Sequence, residues 1–388
     1  MSAPRVMRLA VLGSTGSIGT QALEVAARER GRVRVVGLAA GRSLEALAAQ
    51  AREWRPQALA LQEASDPAAA RAALEAAAPG ARVWVGADAA ARLAAESEAD
   101  VVLNGIVGAA GLGASLEALR RGARLALANK ETLVIGGPLV REALAVGGTL
   151  IPVDSEHSAA LQCLGGRPVT EVLRLTLTAS GGALRAHPNW RRATPDEVLA
   201  HPVWRMGPRI TVDSALLFNK GLELIEAHVL FGLGWEQLEA VLHPQALVHA
   251  LVAFRDGSTV LQAARADMRL PIQLALSWPD RWGDGVRPLA PSDLAGLSFA
   301  PLAPGRYPAF DLAVAAGRAG GTAPCVLNAA DEVAVHAFLG GRLALDGVPA
   351  LVERVLEQHD VAPVESYEQL QRVDEWARRT AAELMARA

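Results

Sequence analysis

"MRLAVLGSTGSIGTQALEVA", residues 7–26, runs from an apolar strand pattern through a glycine loop into a helical pattern. Its glycines fall as Gly13-x-x-Gly16-x-x-Gly19, a variant of the dinucleotide-binding fingerprint. Glycine serves there for the tight turn, for close approach of backbone N–H groups to a pyrophosphate, and for contact between helix and strand. Further along, short apolar runs at 33–39, 57–61, 82–85, 100–104 and 124–128 alternate with alanine- and leucine-rich helical stretches. That alternation predicts an α/β fold whose N-terminal domain, residues 1–150, is a Rossmann-like doubly wound parallel sheet.

The texture changes after residue 150. "EVLRLTLTAS" (171–180) reads as a strand, and "ALVHALVAFRDGSTVLQAA" (246–264) as a hairpin turning at Asp256-Gly257. With a helix expected around 215–231, residues 151–285 form a central α+β catalytic domain. Residues 286–308 carry five prolines and read as a linker. Helical patterns alone follow, at 309–318, 324–339, 347–359 and 366–386, so 309–388 is expected to be a C-terminal α-helical domain. Ser366 and Gln369 stand in capping-box spacing at the start of the last of these.

Composition narrows the class. The 388 residues are 51% hydrophobic and only 4% aromatic, which favours helices packed on sheets over an all-β design. A net charge of −3 provides no basic field for nucleic acid. Cys163 and Cys325 are far apart and in no metal-ligand spacing, which reads as a reduced, cytoplasmic chain with no disulfide or zinc framework. No apolar stretch has the length and continuity of a membrane span.

The second strand ends in Gly41-Arg42-Ser43, where an NAD site usually carries an acidic residue for the ribose. Arg42 either pairs with a 2′-phosphate, pointing to NADP(H), or is one more solvated arginine in an arginine-rich chain. Among 38 basic residues only two are lysines, Lys130 and Lys220, and each follows one of only five asparagines. Lysine is a compact point charge with rotatable donors, arginine a wide planar fork. A tight pocket around an oxygen of phosphate or sugar distinguishes the two.

In "IPVDSEHSA" (151–159), Asp154 and Glu156 are two apart and face one side if the backbone is extended. Converging carboxylates repel unless a cation or a shared proton intervenes, and Mg²⁺ or Mn²⁺ accepts such ligands. Alone, this pattern is weak and reads first as a solvated strand end. "VDSALLFNKGLELIEA" (212–227) adds Asn219 and Glu223, one turn apart on a helix with Lys220 adjacent. A plain surface pair between Lys220 and Glu223 is the alternative, although arginine would serve that purpose as well.

Taken together, GSTGSIG, ANKETLV, PVDSEHSA, TASGG, MGPRITVDS, NKGLELIEA, HPQALVH, ADMRLPIQ and LNAADEVAV resemble, in this order, the 1-deoxy-D-xylulose 5-phosphate reductoisomerase family. The resemblance extends from about residue 8 to past residue 335. It implies a homodimer that uses NADPH and a divalent metal (magnesium or manganese) in the methylerythritol phosphate route to isoprenoids. By resemblance, Thr15, Gly16, Ser17, Ile18, Gly41, Arg42, Ser43, Asn129, Glu131 and Gly207 would line the cofactor. Asp154, Glu156 and Glu223 would hold the metal. Lys130, Ser155 and Glu156 would contact the reacting carbons, with Lys130, Glu156 and His201 the catalytic candidates. Ser180, Ser214, Asn219 and Lys220 would receive the phosphate of the sugar substrate, and Trp204 would close over it.

Three departures stand out. The family favours Asn at Ser43 and often Lys at Arg42, and it favours Asn at Asp331, a difference expected to affect structure only. The lid motif H-P-N-W occurs in two forms, His187–Trp190 and His201–Trp204, inside a loop near 181–208. Only the second leads directly into Met206-Gly207, so the lid is assigned to 201–207. Thr194-Pro195-Asp196-Glu197 between them reads as a capped short helix. Two other functions compete: an NADP-dependent sugar or semialdehyde dehydrogenase, which needs no set of metal carboxylates, and a non-catalytic NADP(H)-binding sensor, which would not oxidise NADPH.

Overall fold

The computed structural model describes residues 6–204, 206–283 and 285–387. Its first sheet contains β1 (Met7–Leu12), β2 (Val33–Ala40), β3 (Ala58–Leu61), β4 (Arg82–Val85), β5 (Val101–Asn104), β6 (Arg124–Leu127) and β7 (Thr149–Pro152). All neighbours are parallel, in the order β4-β3-β2-β1-β5-β6-β7. Helices cover both faces, so the central strands read as near-continuous apolar runs. Leu9, Ala10, Val11 and Leu12 of β1 and Val102 and Leu103 of β5 are fully buried. Strand order reverses between β1 and β5, and ligands of such sheets bind at the carboxyl ends of the strands at that point.

The second sheet contains β8 (Val172–Ala179), β9 (Leu238–Leu242), β10 (Val248–Phe254), β11 (Thr259–Ala263) and β12 (Ala300–Pro301), in the order β11-β10-β8-β9-β12. The β10–β11 hairpin turns where expected, with Gly257 at φ +89 and Asp256 accepting from the Ser258 N–H. Beneath this sheet Leu175, Leu177, Val252, Leu224 and Ala227 form one core. A second core of Val326, Leu327, Val335, Phe338, Val352 and Val355 holds the C-terminal helices together. The N-terminal Rossmann-like sheet, the central α+β layer and the C-terminal helices are all as the sequence pattern predicts. Among the described residues, no helix is long and apolar enough to cross a membrane.

The chain divides into two compact units. One comprises Met1–Thr132, Val140–Asp154 and Met268–Val286; the other comprises Leu133–Leu139, Ser155–Asp267 and Arg287–Ala388. Residues 268–285, expected within the central domain, and residue 286, expected in the linker, thus join the first unit. Their helix Arg269–Ser277 buries Ile272, Leu274, Ala275 and Leu276, and Arg269 lies 3.5 Å from Glu24. The proline-rich stretch after it is partly ordered as sheet, because Ala300 and Pro301 pair with Leu242 and Val241. Proline is tolerated there because β12 is an edge strand. The helix Glu131–Ala145 is kinked at Gly136 ahead of Pro138, whose ring removes a helical hydrogen bond. Next to the kink, a Cβ on Gly137 would lie 2.9 Å from Val229, so glycine permits the close approach of that neighbour.

Candidate active site

The glycine loop is built to bring bare backbone near a ligand. Gly13 has φ +75, and a Cβ there would stand 2.7 Å from the Gly105 carbonyl, where the loops after β1 and β5 meet. A Cβ on Gly19 would lie 2.2 Å from the Gly13 carbonyl. Gly16 is the N-cap of the helix Ser17–Arg28 and no side chain caps it. Its first N–H groups are therefore available to a phosphate. Thr15 and Ile18 are half-buried and Ser17 is exposed. Gly41, Arg42 and Ser43 are exposed after β2, and Arg42 is held by Glu63 through Nε–H at 2.8 Å and Nη2–H at 3.2 Å. Hydrogen bonding to Glu63 raises the Arg42 pKa further above its already high value.

Asn129 lies just past β6 and is 1% exposed. Its amide nitrogen donates to the carbonyls of Ile106 and Gly108 at 2.8 and 2.9 Å and to the Glu131 carboxylate at 2.9 Å. Its oxygen accepts from the N–H and hydroxyl of Thr132. Glu131 also accepts from the Gly108 N–H at 3.1 Å. Asn129 and Glu131 therefore lock the β5 and β6 loops to each other. Gly111 is required alongside, since a Cβ there would sit 2.5 Å from the Asn129 oxygen. Asn104, Ser115 and Thr132 continue this buried network. Sequence reasoning missed them because their partners come from a strand end and two different helices.

Lys130 follows, with its Nζ 2.6 Å from Asp154 and both side chains 11% exposed. The pairing follows from the sheet: Leu127 of β6 lies beside Pro152 of β7, so residues just beyond each strand end meet. The extended D-x-E geometry expected from sequence is corrected here. β7 ends at Pro152, and Ser155–Leu164 is helical, so Glu156 stands in the first turn of a helix. Main-chain N–H groups at that helix start favour the Glu156 carboxylate in the first turn. The Ser155 hydroxyl donates to Glu156.

In the second unit, the helix Phe218–Phe231 begins after Leu217, a left-handed residue at φ +55. Its first turn carries Asn219 and Lys220, and Glu223 follows one turn on. Asn219 donates to one Glu223 oxygen, and Lys220 donates to the other. Lys220 also reaches Glu156 at 3.1 Å and is only 4% exposed. Ligand atoms of Glu156 and Glu223 lie within 4.8 Å of each other. Thus the buried Lys220 ammonium lies by the carboxylates of Glu156 and Glu223, whose oxygens suit a hard divalent cation. The planar guanidinium of an arginine would need more width.

Two fully buried residues support this pair and were not singled out from sequence. The Nε2–H of His157 donates to the Glu223 main-chain carbonyl at 2.9 Å, and its Nδ1 lies 3.5 Å from Glu226. Phe231 stacks on the imidazole. The signals available were the letters beside the expected ligands, Glu156-His157 and Glu223 to Glu226.

Ser180 closes β8, and its hydroxyl accepts from the Gly182 N–H at 3.2 Å and lies 3.1 Å from His201 Nε2. His201 Nδ1 accepts from the N–H groups of Val203 and Trp204 at 3.1 and 2.9 Å. That assigns the proton to Nε2, so a neutral ring holds the turn and donates to Ser180. Burial lowers the His201 pKa and favours this neutral form. Ser180 receives two donors and keeps its own proton for a further acceptor. Trp204 meets His249 edge to face at 6.3 Å. Ser214 is half-buried in the helix Pro208–Ala215, whose N-cap is Gly207. Gly182 touches this helix, since a Cβ there would be 2.6 Å from Ala215 and 2.8 Å from the Ser214 carbonyl.

The other H-P-x-W string has a different setting. Trp190 is 7% exposed within the helical core, and His187 lies 3.7 Å from Glu197. The capping box of Thr194 and Glu197 is present as expected.

Family models agree with this architecture along most of the chain. The 1-deoxy-D-xylulose 5-phosphate reductoisomerase model matches residues 9–137, and two C-terminal domain models of the same enzyme match 150–231 and 264–380. A relative from Moorella thermoacetica bearing that name is 49% identical over 379 residues, covering 96% of this chain and 97% of its own. The chain belongs to the 1-deoxy-D-xylulose 5-phosphate reductoisomerase family. A solved member from Zymomonas mobilis in complex with NADPH superposes with a TM-score of 0.90 at 37% identity, over 98% of this chain and 99% of that one. Another, in complex with NADPH, fosmidomycin and magnesium, also has a TM-score of 0.90, at 34% identity and 98% coverage of both chains.

Proposed function

We propose how this chain carries out its family's reaction, residue by residue. The reaction is the NADPH- and divalent-metal-dependent conversion of 1-deoxy-D-xylulose 5-phosphate to 2-C-methyl-D-erythritol 4-phosphate. The Lys220 ammonium enclosed by Glu156 and Glu223 is the observation that carries the assignment. Glu156 and Glu223, with Asp154 adjoining in sequence, would hold the metal. A bound divalent ion supplies Lewis acidity and a template for vicinal substrate oxygens.

Lys130 would donate to a substrate oxygen as the carbon skeleton reorganises, its position fixed by Asp154 and by the loop that Asn129 anchors. Ser155 and Glu156 would contact the same carbons. Ser180, Ser214, Asn219 and Lys220 would bind the phosphate, and the free proton of Ser180 is oriented for it by His201. Binding energy from this remote group would draw the 201–207 segment and Trp204 over the substrate and exclude water. The glycine cradle, with Thr15, Gly16, Ser17 and Ile18, fits a pyrophosphate. Gly41, Arg42 and Ser43 would meet the adenosine 2′-phosphate, where Arg42 exchanges part of its bonding from Glu63. Asn129, Glu131 and Gly207 would complete the cofactor's surroundings. Hydride delivery from NADPH would then reduce the rearranged aldehyde.

A homodimer, cytoplasmic residence and use of manganese beside magnesium are part of this reading by family resemblance. Burial raises the thiols of Cys163 and Cys325 to about 11 and about 12, so neither forms thiolate readily. The test is loss of NADPH absorbance with 1-deoxy-D-xylulose 5-phosphate, with and without EDTA. Turnover that ceases with EDTA and returns with magnesium or manganese is expected. EDTA-resistant turnover would favour a simple dehydrogenase, and binding without oxidation a sensor.

A further inference from the structure

Arg209 has no role in the chemistry above, yet its guanidinium is tightly coordinated within the second unit. It lies in the first turn of the helix Pro208–Ala215, five residues before Ser214, with its side chain 10% exposed. Its Nη1–H donates to Glu332 at 2.8 Å, and its Nη2–H donates to Asn328 at 2.8 Å and to Asp331 at 3.4 Å. Its Nε lies 3.6 Å from Asp213. Glu332 in turn accepts from Arg378 at 2.6 Å, and Arg378 donates to Asp374. One polar chain therefore joins three helices, Pro208–Ala215, Ala323–Leu339 and Tyr367–Ala386.

Buried ionic groups of this kind are poor stabilisers compared with well-packed apolar residues, because desolvation offsets most of the attraction. Their distinguishing property is direction. Helix Pro208–Ala215 has only eight residues, with Val212 and Ala215 in the helical core, and the Arg209 fork adds directional bonds to that apolar packing. Five residues of helix turn the chain by about 140° beyond a full revolution. Arg209 thus anchors one face while Ser214 projects from another, with the Gly182 turn pressed against the helix's last turn. Burial, together with the Asp213 charge, holds the Asp331 carboxyl well above the usual carboxylate range, against the opposing pull of Arg209.

We propose that Arg209 is a positioning residue for substrate phosphate: its fork on Asn328, Asp331 and Glu332 sets the rotation of helix Pro208–Ala215 and thereby aims Ser214. This rests on the reading of Ser214 as a phosphate ligand. The experiment is steady-state kinetics of the full chain with magnesium, varying sugar phosphate and NADPH separately, alongside thermal melting. Arg209→Met should raise KM for the sugar phosphate about tenfold, lower kcat less than about threefold and leave KM for NADPH within about twofold. Arg209→Lys should recover part of the loss. Thr322→Val removes a buried hydroxyl that contacts His359 at the far end of helix Ala323–Leu339. It should lower the melting temperature without moving KM. Unchanged KM in Arg209→Met, or an equal rise in Thr322→Val, overturns the proposal. Should Arg209→Met not fold, Glu332→Gln takes its place: a smaller KM rise supports the proposal, and an unchanged KM overturns it. Ser214→Ala separates the two claims. If it leaves KM unchanged, the phosphate reading itself fails; if it raises KM and Arg209→Met does not, only the positioning claim fails.

Discussion

The two Asn-Lys pairs share letters and differ in construction. Asn129-Lys130 sits on a loop beyond β6, where backbone conformation is not set by a regular element. Asn129 is consumed in fixing that loop, through bonds to Ile106, Gly108, Glu131 and Thr132, and Lys130 is left to reach Asp154. Asn219-Lys220 lies on a helix, which already fixes its backbone. There both side chains turn to Glu223, and Lys220 reaches Glu156 as well. A loop lysine needs a dedicated residue to aim it, whereas a helical lysine has its direction from the helix.

The largest effect is expected where that helix carries its charge. Glu223→Gln removes a carboxylate that pairs with Lys220. It should lower kcat/KM by about 10³-fold or more and raise the magnesium concentration needed for half-maximal turnover. A variant with normal magnesium dependence would detach the helical pair from the metal. On the loop side the cost should appear as stability. Asn129→Ala leaves the half-buried Ile106 carbonyl and the buried Gly108 carbonyl without that donor and should cost about 2–4 kcal/mol, read from urea denaturation. The same change at Asn219, which is half-buried, should cost less.

The smallest effect concerns His201. Its folded pKa is depressed by burial, so its contribution is complete above the ordinary histidine value of about 6.5 and is lost as pH falls through the folded value. A proton on Nδ1 would displace the Val203 and Trp204 N–H groups. KM for the sugar phosphate should therefore rise in mild acid. His201→Asn offers a non-titrating acceptor for those N–H groups and should lose that acid limb. An identical pH profile in the variant would remove His201 as its source.

Much of this was legible in the sequence for a physical reason. Rossmann strands buried on both faces are continuous apolar runs, and a glycine-only loop leaves its mark at fixed spacing. The Asn219–Glu223 relation was readable because helix geometry ties residues one turn apart. What escaped depends on partners distant in the chain. Glu156 was expected on an extended segment and stands on a helix, since the strand ends at Pro152 and nothing within "PVDSEH" marks that point. Residues 268–286 join the first unit through an apolar helix whose letters do not name its partner. Nothing in the letters around Arg209 names Asn328, Asp331 and Glu332, its partners far along the chain.

The central claim is that the two lysines hold different offices. Steady-state kinetics of Lys130→Arg and Lys220→Arg, each with the sugar phosphate varied at saturating NADPH and magnesium, test it most directly. Lys130→Arg should depress kcat with little change in KM, and Lys220→Arg should chiefly raise KM. Wild-type constants in both variants, or the same change in both, would contradict the account.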